Sequence, residues 1–334
     1  MTEFYEQVKE RLMRYARINT ESNPHSTSVP TTSCQHDLAK VIYEELQKIG
    51  ATNVYYDKDT CVVYGSLEAN VKTGRAIGFV THMDTAPDAS GKDVKPWVLE
   101  NYDGNDIVLN KEKDIVMSPS VFPNLKQYIG QDLILTDGTT LLGGDDKASI
   151  AAVMTLLEYL VKHPEIKHNF ISVAFTPDEE VSGLAKDLDL ERFKSPIAYT
   201  LDGDHLGYYM DETFNASLTT IEIHGISVHT ATAKGIMKNA VDIGNAFLNK
   251  LPALEKPQYT QGREGFYHVV SFNGDCEYAK IEINVRDHDS LQFDIRNNTL
   301  KMIVDMLNEE YGQGTVNITQ RIQYRNLKEV IDQV

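Results

Sequence analysis

Four short stretches place acids, and in one case an imidazole, where an apolar run stops. They are His82 and Asp84 in IGFVTHMDT, Asp145 and Asp146 in LLGGDDKAS, Glu179 and Glu180 in VAFTPDEE, and Asp202 and Asp204 in YTLDGD. Three follow a strand-like run; the fourth sits where a glycine pair enters a helix. In an open α/β sheet, ligands bind in the crevice beyond the carboxyl ends of the strands. Carboxylates gathered there without partners repel one another strongly. A divalent cation relieves that repulsion, and mixed His and Asp/Glu donors suit zinc, manganese or cobalt better than calcium. The spacing His82-Met83-Asp84 puts both side chains on one face of an extended segment. One ring nitrogen can then ligate while Asp84 holds the other. Glu179 and Glu180, adjacent on an extended segment, point apart, so one can ligate and the other act as general base. Singly, each cluster has an ordinary reading: solvated loop acids, a charge at a helix start for Asp145 and Asp146, an Asx turn at Asp202. Their shared kind of position carries the metal reading. It predicts that His82 and Asp202 bring ligand atoms within ~6 Å of each other, given zinc bonds of ~2 Å.

The elements that must position these residues alternate. Two amphipathic helices open the chain, the second with Leu38, Val41, Ile42, Leu46 and Ile49 at helical spacing and a stop at Gly50. Strands are predicted near 54–56, 61–64 and 76–81, loops and minor strands over 86–142, a long helix from about Lys147 to Val161, and strands at NFISVAF and IAYTL. Strand–helix alternation argues for a three-layer α/β sheet. After about residue 210 the order becomes βαββαβ, a ferredoxin-like split unit: SLTTIEIHG, a helix over 234–250, YHVVSF, the turn NGDCE, YAKIEINV, a helix over 290–310, and TVNITQRIQY. The expected domains are therefore residues 1–209, with 326–334 returning to that first domain, and an inserted unit over 210–325.

Composition bounds the rest. The 334 residues are 41% hydrophobic and carry a net charge of −17, which repels nucleic acid and anionic membrane. No apolar run reaches the ~18 residues of a membrane span. The N-terminal segment lacks the apolar core of a signal peptide. Cys34, Cys61 and Cys276 are few and far apart, which disfavours disulfides and thiolate metal sites and points to a reducing cytoplasm.

The stretches THMDT, TDGTTLLGGDDKASIA, VAFTPDEE, YTLDGD and TAKGIMKNA resemble, in that order and over essentially the whole chain, the co-catalytic zinc aminopeptidases of the M20 family. The resemblance implies a zinc-peptidase α/β domain with an inserted ferredoxin-like lid used for homodimer contacts, two zinc ions per subunit, and hydrolysis of the first peptide bond of tripeptides. Residue by residue, it implies His82, Asp145 and Asp202 as ligands of the first metal, with Asp145 bridging and joined to Asp146 by a cis bond. It makes Glu180 a ligand of the second metal, Asp84 the carboxylate behind His82, and Glu179 the general base. In the lid, His229 matches a histidine that polarises the scissile carbonyl, usually from the partner subunit. Arg286 matches an arginine that grips the substrate carboxylate, and Asn239 a further substrate contact. Two departures stand out. The family reads HPGTAKG where this chain has His229-Thr230-Ala231-Thr232-Ala233-Lys234-Gly235, an exchange expected to alter the rigidity of that loop. The family's C-terminal segment, with its last zinc-binding histidine, has no counterpart, and no histidine follows His288. The expectation is one complete metal set, an incomplete second one, and turnover at least ~100-fold below a longer relative. A non-enzymatic remnant acting through its lid, or a carboxypeptidase or deacylase of the same family, are the competing readings; the THMDT and TPDEE forms and the long 86–142 region favour the tripeptide aminopeptidase.

Overall fold

The structure is a computed structural model describing residues 2–182, 188–203 and 207–333. Asp204 therefore lies outside the described residues. The chain divides into two compact units, Met1–Leu206 and Gly207–Val334.

In the first unit, helices α1 (Thr2–Ala16), α2 (Gln35–Ile49) and α3 (Gly144–Lys162) accompany a five-stranded sheet. Its strands are β1 (Thr52–Tyr56), β2 (Val63–Leu67), β3 (Ile77–His82), β8 (Ile171–Thr176) and β9 (Ala198–Thr200), in the order β1-β2-β8-β3-β9. β8 is buried along its whole length, as expected of a central strand covered on both faces. On one face Val173, Phe175, Ile171 and Val63 meet Leu38, Ile42 and Leu46 of α2 and Ile150, Met154 and Leu157 of α3 in one core. Each such side chain contributes roughly 1.5–3 kcal/mol on burial. The other face is covered by a shorter element, α5 (Leu190–Phe193), whose Phe193 packs with Val62, Tyr64 and Ala174. Gly50 ends α2 in the left-handed region, its N–H donating to Gln47 and Leu46 carbonyls, the C-terminal glycine cap read from the sequence. Residues 86–142 form two small antiparallel pairs, β4 (Trp97–Leu99) with β7 (Leu133–Leu135) and β5 (Ile107–Asn110) with β6 (Ile115–Met117), around Tyr102, Ile107, Leu125 and Leu135.

A buried polar junction locks the three helices. Arg11 donates from Nε to Glu45 (2.7 Å), from one terminal nitrogen to the Thr155 hydroxyl (2.7 Å), and from the other to Glu158. Arg14 and Tyr15 also reach Glu45. Burial alone would raise the Glu45 and Glu158 carboxyls. For Glu45 the hydrogen bonds from Arg11 and Tyr15 outweigh it, for Glu158 those from Lys162 and Arg11, and both end below the usual range. Carboxyls depressed in the folded state stabilise it above their unfolded pKa of ~4.3 and lose that contribution as the pH falls through the folded value. Arg11→Met is expected to destabilise the unit by ~3 kcal/mol, the lower end for a broken buried pair because Arg14 and Tyr15 remain on Glu45. It should also flatten the acid limb of a Tm-against-pH curve. An unchanged curve would show that the junction contributes nothing.

The second unit is a four-stranded antiparallel sheet in the order β11-β12-β10-β13, from β10 (Asn215–His224), β11 (Phe266–Gly274), β12 (Tyr278–Asp287) and β13 (Val316–Tyr324). Helices α6 (Ala240–Asn249) and α7 (Ser290–Tyr311) pack on it through Ile243, Phe247, Phe293, Leu300 and Leu307 against Ile221, Ile281 and Ile283. With strands numbered within the unit this is the order 2-3-1-4, the ferredoxin-like arrangement. α6 begins six residues later than the periodicity suggests: Asn239 caps it, accepting from Val241 N–H at 3.0 Å, and Lys238 is instead tied to Ile226 in an antiparallel bridge. The last residues differ from expectation too. Asn326 donates to Glu212 and His288 and receives Thr213 N–H, so residues that the sequence reading returns to the first unit are held by the second, ahead of the short α8 (Lys328–Ile331).

Candidate metal centre

Strands β3, β8 and β9 run parallel, with His82 opposite Thr176 and Val80 opposite Thr200. Their carboxyl ends therefore share one edge of the sheet. His82 closes β3, Glu179 and Glu180 follow β8, and Asp202 follows β9.

The His82 ring is buried. Its Nδ1 faces Asp84, 3.3 Å from Oδ1, and its Nε2 opens on Asp145 Oδ1 at 3.0 Å and Asp202 Oδ2 at 3.8 Å. The ligand atoms of His82, Asp145 and Asp202 all lie within 4.8 Å of one another, inside the separation expected for a shared ion. Glu179 Oε2 stands 4.0 Å from the same ring nitrogen. Glu180 is not part of that three-residue group; Asp145 is its strongest charged neighbour.

Burial disfavours an imidazolium at His82, yet the hydrogen bond and charge of Asp84, followed by Asp146 and Glu179, raise its pKa to about 10. Burial and then neighbouring charge also raise the carboxyls: Glu180 and Asp202 beside Asp145, and Glu179 beside Asp202, Asp84 and Asp145 despite His82. Acids that cannot all ionise comfortably around an imidazole nitrogen are a donor set short of positive charge. One nitrogen and two carboxylates at this spacing fit a divalent cation of the zinc, manganese or cobalt type.

Three features were not read from the sequence. Asp84, fully buried, accepts the backbone N–H groups of Glu179 (2.9 Å, Oδ1) and Glu180 (3.1 Å, Oδ2). The acid doublet consequently starts a helical turn, α4 (Glu179–Ser182), rather than lying on an extended segment. The two side chains diverge by the rotation of a helix instead of the alternation of a strand. Asp146 is not a bystander of Asp145: it is buried, accepts His82 N–H at 3.1 Å, and burial pushes its carboxyl up to about 7. The Asp145-Asp146 bond is cis, and neither residue is helical, so regular α3 begins at Lys147 as read from the sequence. Gly143, just before, holds φ +73°, and a Cβ there would press on Thr85 Cγ2 at 3.1 Å. Only glycine takes that turn without strain.

The remaining candidates lie in the second unit. His229 is exposed, and its Nδ1 accepts Ala231 N–H at 3.2 Å. In the neutral ring the proton then sits on Nε2. That bond and the Thr232 hydroxyl, which donates to His229 O at 3.0 Å, hold the exchanged loop. Arg286 is half-buried, donates to the carbonyls of Ser217 and Val285, lies over the Phe214 ring, and is not ion-paired with any described carboxylate. Burial lowers its pKa. Asn239 spends its side-chain oxygen on the α6 cap.

A mixed sheet gathering an imidazole and carboxylates at its edge, followed in sequence by a ferredoxin-like unit, is the architecture of M20 metallopeptidases. Residues 212–315 match the M20 peptidase dimerisation domain. The crystal structure of an aminopeptidase PepT from Bacillus cereus superposes with a TM-score of 0.75 at 20% identity, over 98% of this chain and 79% of that one. A dinuclear metal-binding peptidase of the M20 family from Bacillus subtilis superposes at 0.59 with 11% identity, over 98% and 76%. In sequence, peptidase T of Clostridium novyi (strain NT) is 47% identical over 330 residues, 98% of this chain and 81% of that protein. The chain belongs to the peptidase T family. No described helix is long and apolar enough to cross a membrane.

Proposed function

We propose that this chain is a metal-dependent aminopeptidase that releases the N-terminal residue of tripeptides. The observation that carries the reading is the opening of His82 Nε2 onto Asp145 and Asp202 with Glu179 at 4.0 Å. A zinc ion held by His82, Asp145 and Asp202 would polarise a peptide carbonyl and make water acidic enough to attack near neutral pH. Asp84 keeps a proton on His82 Nδ1 and so presents Nε2 as the donor atom. Glu179 takes the proton from the attacking water and returns it to the departing amine. By the family resemblance, His229, usually supplied by the partner subunit, would donate from Nε2–H to the carbonyl oxygen as charge develops there, and Arg286 would receive the substrate's carboxylate, in keeping with its having no ion pair with any described carboxylate. Asn239 offers its remaining amide N–H groups to the peptide. A second cation would be held, among the described residues, by Asp145 and Glu180.

Side by side, tripeptides and N-acylated amino acids separate this reading from a deacylase of the same family, and turnover of the N-acylated set alone would reject it. Metal titration should show a tightly held ion that His82→Ala releases; retention of the ion in that variant would reject the ligand assignment. A tightly held ion without turnover of either substrate set would favour a non-enzymatic role. The second unit, as a dimerisation module, would join two copies through an edge of its sheet, β11 or β13. A monomer at micromolar concentration in a sedimentation run would count against that. The three free cysteines suit a cytoplasmic protein.

A further inference from the structure

The turn that delivers Glu179 is held from a second direction, by the chain that enters α2. Asp178 precedes the acid doublet and sits in the left-handed region at φ +59°, a conformation few non-glycine residues take without support. Support comes from the chain that enters α2. Gln35, fully buried at the start of α2, grips Asp178 twice, donating from Nε2 to Oδ1 at 2.7 Å and accepting Asp178 N–H on Oε1 at 3.2 Å. Thr31 adds its backbone N–H to Oδ2 at 2.8 Å and its hydroxyl to Oδ1 at 2.5 Å. The same segment is tied to the end of β3: Thr85 N–H donates to Thr20 O, Ser22 N–H donates back to Thr85 O, and the Thr32 hydroxyl donates to Glu21 O. Thr85 directly follows Asp84. Residues 20–35 thus span two strand ends, one bearing His82 and Asp84, the other Glu179.

We propose that Gln35 and Thr31 are positioning residues for Glu179, fixing the left-handed turn at Asp178 that sets where the base carboxylate stands relative to His82. This rests on the reading of Glu179 as general base. Neither residue hydrogen-bonds a proposed metal ligand among the described residues, so their effect should fall on the chemical step. A base displaced by ~1 Å loses on the order of 100-fold in rate.

The test uses the metal-loaded 334-residue protein. Gln35→Met keeps length and burial but removes both bonds; Thr31→Val removes the hydroxyl and Thr31→Ser retains it. The expected result for Gln35→Met is a ~10–100-fold fall in kcat, with KM and metal content within about two-fold of the parent and faster amide exchange over 178–181 against unchanged protection in β8. Thr31→Val should fall in the same direction and Thr31→Ser should recover. A lower Tm with kcat and exchange unchanged at 25 °C would reduce the clamp to ordinary stability and overturn the proposal. Glu179→Ala is the control on the reading beneath it. If that variant keeps its turnover, or the parent has none, the base assignment fails, while amide exchange still decides whether Gln35 and Thr31 hold the turn.

Discussion

Glu179→Gln is expected to lower tripeptide turnover by ~10²–10⁴-fold, the usual worth of a positioned general base, while leaving metal content unchanged. The amide keeps the shape of the carboxylate and cannot take a proton. The geometry makes this a sharp test, because Glu179 Oε2 lies almost as near His82 Nε2 as Asp202 Oδ2 does, 4.0 Å against 3.8 Å. Distance alone would allow Glu179 to be a ligand and leave Glu180 with another task. The two roles separate in a metal assay by atomic emission. Turnover lost with the ion retained assigns the base; turnover and ion lost together would make Glu179 a ligand and reverse the division of the doublet.

The second large effect belongs to Asp84. Substituting a carboxylate behind a metal-binding histidine typically costs 10–100-fold in metal affinity, but Asp84 does more than orient His82. Its two oxygens also accept the N–H groups that start α4, so both are committed to donors. Asp84→Asn, conservative in shape, turns one of those oxygens into an NH₂ facing an N–H. The buried amides of Glu179 or Glu180 would then lack an acceptor, at about 1–3 kcal/mol. Asp84→Asn should therefore weaken metal binding by at least ~100-fold, the upper end for such a substitution, and lose turnover beyond what reloading with excess metal restores. Competition against a chromophoric chelator measures the first, and an affinity within three-fold of the parent would falsify the shared role.

Much of this site could be read in the sequence, for an identifiable reason. Polar residues at or just past the end of a buried strand break its apolar run, so His82, the last residue of β3, and Glu179, three residues beyond β8, announce themselves by where hydrophobicity stops. Asp145 is legible because a glycine pair and two acids precede a strongly periodic helix. The period of the second unit's strands and helices likewise dictated its order. What stayed hidden was set by partners distant in sequence. The Glu179 turn is helical because Asp84 caps it, Asp146 is buried because His82 N–H reaches it, and Gln35 looks like any polar residue at a helix start until Asp178 is brought to it. Neither periodicity nor spacing encodes such pairings, nor the insertion of β8 between β2 and β3.

That insertion has a consequence for how the protein is made. β2 and β3 leave the ribosome close together, and β2 can pair with β1 at once, yet both lack the strand that belongs between them: Ile77 pairs with Ile171, and Val63 with Phe175. Until β8 emerges, at synthesis rates of ~5–20 residues per second, the nascent chain presents the β8-facing edges of β2 and β3 unpaired for several seconds. The small 97–135 subdomain, whose pairings are closer in sequence, can order in that interval. The centre then assembles late and nearly at once, since β8 brings the Glu179 turn and completes the sheet against which His82 is buried, and Asp202 follows within a few dozen residues. A cation encountered before that moment meets only scattered acids, so metal loading reports a finished first unit and cannot nucleate it.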